Sequence, residues 1–517
     1  MHDTISPAKA TRREWIGLGV IALACMLYSM DLTVLNLAVP ALSRDLEPSA
    51  SQLLWIIDIY GFMVAGMLVT MGNLGDRIGR RRLLMIGAAA FGLASVVAAF
   101  ATSAEMLIAM RALHGIAGAT IAPSTLSLIR NMFHDPAERT AAIGWWISAF
   151  SAGAAIGPVL GGVLLQWFWW GSVFLINVPV MVLLLLAAPR LLPEFRDPGA
   201  RPLDLASALL SIAAVLSTIY GLKRIAEYGL SSGPVLAIFA GIAIGLLFAR
   251  RQRRLDDPMI DLRLFAAPAF SASLGMYMLA GCVMFGIYIY IAQYLQLVVG
   301  LSPLMAGLAT VPWALPFILG STLTPRLVQR FGTVPLIAGG LLLSAGSFGL
   351  IALVDDAAGL AVVLVGTGLM SAGLAPVFTL ATDLVVGSAP PERAGSAAAM
   401  SETCAEFGGA MGVALFGSLG TALYRATMVD IPVPGLAPDV IESARATLGG
   451  ASAIALQLPG AAGETLLATA RDAFMQGMQI TAAVGAVAML GMGIAATCVV
   501  RRQAREAAVL QEPGAGA

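Results

Sequence analysis

Fourteen apolar runs, most of them about 20 residues or longer, divide this 517-residue chain almost end to end. They cover roughly 15–40, 52–71, 83–102, 105–131, 140–167, 172–192, 205–225, 233–250, 269–298, 303–328, 334–354, 358–386, 394–425 and 473–499. Lipid hydrocarbon offers no partner to a backbone N–H or C=O, so runs of this kind cross it as helices, which satisfy those groups internally. The fold class this predicts is all-α and integral to a membrane. Composition agrees: 58% of residues are hydrophobic and 12% charged, against about 25% charged in globular chains.

Of the 30 lysines and arginines, Arg111 alone sits well inside a run. Six of the rest, Arg44, Lys223, Arg224, Arg425, Arg445 and Arg471, fall on one side of the alternating connections; the other 23 fall on the side that holds both termini. Basic residues mark the cytoplasmic face, so both termini are expected there and the number of spans is even. Twelve spans would also be even; fourteen is preferred because 205–225 and 233–250 are each apolar. The expected organisation is a cytoplasmic N-terminus (1–14), a six-helix bundle (15–192), an inserted helix pair with linkers (193–268), a second six-helix bundle (269–499) and a cytoplasmic tail (500–517). The longest connection, 426–472, is expected on the outer side, either as a helical hairpin formed by 437–448 and 462–474 around Leu458-Pro459-Gly460 or as an irregular loop. The first apolar run lacks a small-residue cleavage site and is expected to stay as a membrane helix rather than a signal peptide. An internal repeat supports two related halves: SAGAAIGPVLGG (151–162) and EFGGAMGVALFG (406–417) place Gly153 and Gly157 at the same spacing as Gly408 and Gly412.

Against this background the acids stand out. Asp31, Asp58, Glu402 and Glu406 lie inside apolar runs, where a carboxylate is costly and marks a proton, ion or substrate pathway. Asp31 is about 24 Å of helical rise from the start of its run. It is either a coupling carboxylate or a structural cap bonded to Thr33, Asn36 or a neighbouring helix. Asp58, near the outer end of its run, is a coupling group or a solvated interfacial carboxylate. Glu402 and Glu406 are four residues apart, on one helix face and about 6 Å apart in rise; two acids so placed do not comfortably ionise together, which suits a proton carrier. The plainer alternative for Glu402 is a bond to backbone. Arg111 is an ion-pair partner that holds helices together or one that sets proton release from a nearby acid. His114, one turn away, is expected to pack, and Asp383 to sit at a helix end. Trp55, Tyr60, Trp146, Trp313, Phe317 and Phe378 are candidates for an aromatic face that attracts a desolvated cation, each weighed against ordinary packing. Gly153, Gly157, Pro158, Gly161 and Gly162 are expected to let helices approach closely, sealing one half against the other.

The most specific string is GNLGDRIGRRR, 72–82, between the second and third runs. Gly72 and Gly79 permit close approach and a turn. Asp76 can accept from a helix N-terminus or an arginine, and Arg77 and Arg80 can pair across the inner mouth. A basic connection with no further role is the alternative. This string resembles the inner-loop signature of the major facilitator superfamily. MDLTVLNLAVP (30–40) resembles the first-helix signature of its fourteen-span drug:proton antiporters, with Met30 where leucine is usual. MRALHGIAGA (110–119) resembles the fourth-helix pattern and GAAIGPVLGG (153–162) the antiporter motif of the fifth. LLWIIDIY (53–60) and SETCAEFGGAMG (401–412) are similar to exporters of quaternary ammonium compounds and cationic dyes, the QacA, SmvA and LfrA group. Some members of that group carry further acids where this chain has Phe317 and Ser401, so the likeness carries no expectation about divalent cations.

The resemblance implies proton-coupled efflux of lipophilic cations by alternating access, in a bacterial cytoplasmic membrane and as a monomer. Small organic cations, protons and lipid are the implied partners, with no cofactor. The residues themselves leave two rivals: an exporter of a neutral or anionic metabolite, and a membrane receptor or scaffold that transports nothing. Zero net charge gives no lure for nucleic acid. No phosphate loop, nucleophile elbow or metal-ligand spacing occurs, and Cys25, Cys282, Cys404 and Cys498 all fall in apolar stretches, so neither an ATP-driven pump nor a membrane hydrolase is expected.

Overall fold

The computed structural model describes residues 9–48, 50–196, 204–354, 359–428, 444–445, 447–458 and 461–511. The first half consists of α1 (Arg12–Leu46), α2 (Ala50–Ile78), α3 (Arg80–Ala99), α4 (Ala104–Gly118), α5 (Ile121–Met132), α6 (Pro136–Trp167), α7 (Ser172–Leu175) and α8 (Asn177–Leu191). The inserted pair is α9 (Leu205–Tyr228) and α10 (Ser232–Gln252). The second half consists of α11 (Pro268–Gln293), α12 (Pro303–Leu308), α13 (Val311–Phe331), α14 (Thr333–Ala352), α15 (Gly359–Ser388), α16 (Ala394–Met428), α17 (Leu448–Ala455) and α18 (Ala461–Gln511). Among the described residues, fourteen spans are long and apolar enough to cross a membrane, and α4–α5 and α7–α8 each form one span with a break.

Local chemistry fixes the boundaries. Thr11 and Glu14 cap the start of α1 reciprocally. Asp135 accepts from the backbone N–H groups of Ala137 and Glu138, with Pro136 at the first position of α6. Gly79, between α2 and α3, has φ +109°, a conformation that glycine adopts without a Cβ penalty.

The repeated glycines set the packing of each half. A Cβ on Gly153 would overlap the carbonyl oxygen of Met26, and one on Gly157 the hydroxyl of Thr33, so α6 lies directly on α1. In the second half, a Cβ on Gly408 would overlap the carbonyl of Met278 and one on Gly412 that of Cys282, so α16 lies on α11 in the same way. The motif expected to seal one half against the other therefore packs within a half. Contact between halves through α6 comes instead at Gly144, which meets the backbone of Ser321, and at Ser148, whose Oγ donates to Ile318 O at 3.3 Å.

The inserted pair packs on itself, and α9 also packs on both halves, against α2 and α16. Asp204 accepts from Arg251 Nε at 2.8 Å and Nη2 at 3.0 Å, and these bonds hold its carboxyl well below the usual carboxylate range. Residues 462–474 are helical and pack back on α17, but they are not a separate helix: α18 runs unbroken from Ala461 to Gln511, because no proline interrupts the chain between Pro459 and Pro513. The helix likewise extends past 499 into the segment expected as a tail. Residues 437–443 of the expected hairpin lie outside the described residues.

Candidate substrate and coupling site

Glu402 and Glu406 project from the middle of α16, and both are half-buried. Glu402 Oε1 is buried and has no hydrogen-bond partner among the described residues. Such an oxygen is costly unless it takes a proton or meets a cation. Aromatic rings flank the pair from both halves. In the first half Tyr60 (α2) lies 6.0 Å from Tyr28 (α1), Tyr28 lies 5.4 Å from Phe150 (α6), and Phe150 lies 4.5 Å from Trp146. In the second half Tyr277 (α11) lies 4.9 Å from Phe378 (α15), which lies 6.0 Å from Phe317 (α13). Both acids are within electrostatic reach of Tyr28 and Tyr277, and Glu406 also of Tyr60. Two carboxylates between two aromatic arcs can pair the charge of an organic cation while the rings cover its apolar body.

Asp31 belongs to a separate network. Its carboxylate is paired with Arg111 of α4 and accepts from Asn177 Nδ2 of α8 at 3.2 Å; Asp31 is 0% and Arg111 1% exposed. Arg111 Nε donates to Ile56 O at 3.3 Å, and its guanidinium lies 4.6 Å from the Tyr60 ring centroid. His114 stacks between Phe91 and Phe174, with Nε2 2.9 Å from Ser95 Oγ. Thr33 Oγ1 donates to Met30 O rather than to Asp31, and the Asn36 side chain lies outside the described residues. Asp58 pairs with Lys223 of α9; 26% and 33% of these side chains are exposed.

The loop motif forms a cross-half latch. Asp76 is in contact with Arg80, and its Oδ2 accepts from the backbone N–H of Ser396, in the first turn of α16, at 3.2 Å. Arg80 Nη1 donates to Gly72 O at 2.9 Å. Arg77 and Arg393 grip Asp257, which follows α10, at 3.2 and 2.5 Å. Met259 O accepts from Ser396 Oγ at 2.7 Å and from Asn73 Nδ2 at 3.3 Å. Asp383, near the C-terminal end of α15, also joins α15 to α6 by accepting from Arg139 Nε and Thr140 Oγ1, both at 2.6 Å.

The remaining candidates divide. Tyr60 and Trp146 are buried; Tyr60 OH donates to Tyr28 O at 3.2 Å and Trp146 Nε1 to Thr125 Oγ1 at 2.9 Å. Trp55 is 42% exposed, tilted against Phe62 at 6.3 Å, apart from the two arcs. Trp313 stands edge-on to Tyr288 at 4.8 Å. Gly161 is buried, Gly162 meets nothing within 4 Å, and the Pro158 side chain lies outside the described residues. Tyr28, Phe150 and Tyr277, and the latch residues Asp257, Arg393 and Ser396, were not singled out from sequence. An aromatic at the helical spacing of a neighbouring candidate, as Phe150 is to Trp146, was the available signal.

Two six-helix halves, an inserted pair, and a charged latch between the halves define a multi-pass membrane protein built like a transporter. The chain belongs to the Major Facilitator Superfamily, whose family model matches residues 21–413. It is 42% identical over 502 residues to the multidrug efflux pump LfrA of Mycolicibacterium smegmatis, covering 97% of this chain and 99% of the relative. It is 39% identical over 471 residues to the methyl viologen resistance protein SmvA of Salmonella typhimurium, covering 90% and 93%. The human organic anion transporter MFSD10 (TETRAN) has the same fold, with a TM-score of 0.61 at 16% identity, over 92% of this chain and 99% of that one.

Proposed function

We propose that the protein is a multidrug efflux antiporter of the bacterial cytoplasmic membrane that exports lipophilic cations in exchange for protons. The observation that carries the reading is the Glu402–Glu406 pair, with an unpartnered carboxylate oxygen, between aromatic arcs from the two halves. The names of the relatives, a multidrug efflux pump and a methyl viologen resistance protein, point the same way. With 23 of the 30 basic residues on the side of both termini, the latch end faces the cytoplasm.

The cycle follows from competition for one set of carboxylates. With the latch closed, protons arriving from outside neutralise Glu402 and Glu406 and release the cation outward. When the latch opens, the protons leave to the cytoplasm and the ionised pair takes up the next cation. Proton and cation each weaken binding of the other by the same factor, which couples their flows. Asp31 and Arg111 hold α1 to α4 beside Tyr60, and the latch stabilises one of the two arrangements that alternate.

The test is proton flux from proteoliposomes loaded with a pH dye when ethidium is added. Cation-dependent proton movement, abolished by Glu406→Gln, is expected. No proton movement with cations, but movement with a neutral or anionic solute, would replace this reading with export of such a solute. No solute-dependent movement at all would point to a receptor or scaffold.

A further inference from the structure

Only two of the thirty basic residues are lysines, Lys9 and Lys223. Sequence places Lys223 in an outer connection, but the helix continues past it to Tyr228, so its side chain projects from α9 itself. There α9 bridges the halves. Its Val215, Leu216 and Ile219 pack with Phe62 and Ala65 of α2 and with Phe407 and Ala410 of α16. Lys223 Nζ is paired with the Asp58 carboxylate and lies 4.9 Å from the centroid of the Phe62 ring. From α16, Glu406 is within electrostatic reach of the same ammonium. The adjacent Arg224 is turned onto the Tyr220 ring, 5.4 Å away. Lys223 thus occupies a carboxylate, an aromatic face and the field of a second acid, the three features by which the site would hold an organic cation.

We propose that Lys223 is a tethered cation that occupies Asp58 when the transporter is empty, and that a lipophilic cation must displace it to bind. The proposal rests on the reading of the protein as a cation exporter and identifies a residue that sets its affinity and charge selectivity. Lysine chemistry suits the task. An ammonium on a flexible four-carbon stem makes a single-point contact and swings away, whereas a guanidinium would grip Asp58 through two bonds. Exposure suits it too. A quarter to a third of the Asp58 and Lys223 side chains is exposed, so the pair opens without breaking a fully packed interior. The sealed Asp31–Arg111 pair, at 0% and 2% side-chain exposure, has no such freedom. Displacement of Lys223 also loosens α9 from α2, so cation binding would reach the inserted pair directly.

Two experiments on the full-length protein in nanodiscs test this. The first measures binding of tetraphenylphosphonium, a monocation, and dequalinium, a bis-cation, to wild type, Lys223→Met, Lys223→Arg and Lys223→Met/Asp58→Asn. Removing the competitor should tighten tetraphenylphosphonium binding about tenfold and dequalinium binding by more, because two acids are then free. Lys223→Arg should bind no tighter than wild type, and Asp58→Asn should cancel the gain of Lys223→Met. Unchanged or weaker binding by Lys223→Met, with wild type binding normally, overturns the proposal and leaves cation export standing. Failure of wild type to bind either probe removes both.

The second needs no substitution at the site, and so covers the case in which Lys223→Met does not fold. In a Lys9→Arg background Lys223 is the only lysine, and its modification by an amine-reactive ester is read by mass spectrometry. Saturating tetraphenylphosphonium should raise its reactivity severalfold by freeing the ammonium. Unchanged or reduced reactivity refutes displacement.

Discussion

Gly72 lies where α2 crosses α16, and replacing it by alanine perturbs one conformation selectively. A Cβ there would come within 2.5 Å of Ala399 Cβ and 2.7 Å of Gly395 O, where ordinary contact is 3.4–4 Å. Both neighbours sit on the helical backbone of α16, so neither can rotate away. The helices must separate by about an ångström, which strains the Asp76–Ser396 and Arg80–Gly72 bonds beside the contact. Overpacking of this kind costs about 1–3 kcal/mol, and here only in the latch-closed arrangement. At 1.4 kcal/mol per tenfold, the closed-to-open ratio should fall by a factor of about 5 to 150. Spin labels on Arg82→Cys of α3 and Arg326→Cys of α13, both exposed, report the separation of the halves at this end once the native cysteines are replaced by serine. Gly72→Ala should shift the distance distribution toward the longer population and slow ethidium efflux, with cation affinity retained. An unchanged distribution together with a wild-type efflux rate would refute the close approach as the basis of the latch.

Asp76→Asn should slow efflux without abolishing substrate binding, since it weakens a bond between halves remote from the acids; a collapse of affinity with normal turnover of bound substrate would contradict it. Glu406→Gln keeps the shape and removes a charge, so cation-driven proton flux should disappear in normally expressed protein, and wild-type flux would rule out the pair as the coupling site. Dye binding to purified protein should weaken as pH falls, because protonation of the acids removes the counter-charge, and the dependence should flatten in Glu402→Gln/Glu406→Gln; equal pH dependence in wild type and double variant would relocate coupling to Asp31 or Asp58. Asp31→Asn leaves Arg111 buried and uncompensated, at a cost of about 3–5 kcal/mol, so its melting temperature in detergent should drop sharply, with partial recovery in Asp31→Asn/Arg111→Gln. If Asp31→Asn melts like wild type but loses coupling, Asp31 is a coupling group rather than a structural one.

The helices were legible because bilayer thickness imposes a length that composition alone reveals, and α9 and α10 met it as clearly as any other span. The repeat at 151–162 and 406–417 was legible as spacing, and the glycines of both copies do bring helices together. Which helices they join was not legible. A small-residue pattern states that something approaches closely and carries no address, so α6 was assigned to the other half when it lies on α1. Partners of the acids were hidden for the same reason: Asp31 and Arg111 are 80 residues apart, Asp58 and Lys223 165, and neither leaves a mark at short range. The helical pattern of 462–474 was legible, but its continuity with the last span was not, because Glu464, Arg471 and Asp472 interrupt the apolar run while the helix continues until the backbone is interrupted.

The four acids separate by environment into different kinds of work. Asp31 is sealed, paired and bonded, and a charge so compensated resists change, which fits it to hold α1, α4 and α8 in register. Asp58 is paired but partly exposed, which suits the proposed exchange of its partner. Among the described residues Glu402 has a buried oxygen with no hydrogen-bond partner, the one arrangement of the four that favours a proton or a cation there. Glu406 stands between, sharing a helix face with Glu402 and the electrostatic field of Lys223. In the proposed cycle, a cation arriving at the Glu402–Glu406 pair competes with a proton at one end and with a tethered ammonium at the other. On that reading, affinity for lipophilic cations is set by how much of the competition the aromatic arcs offset, so a substrate that fills both arcs should be exported at concentrations where a smaller cation of equal charge is not.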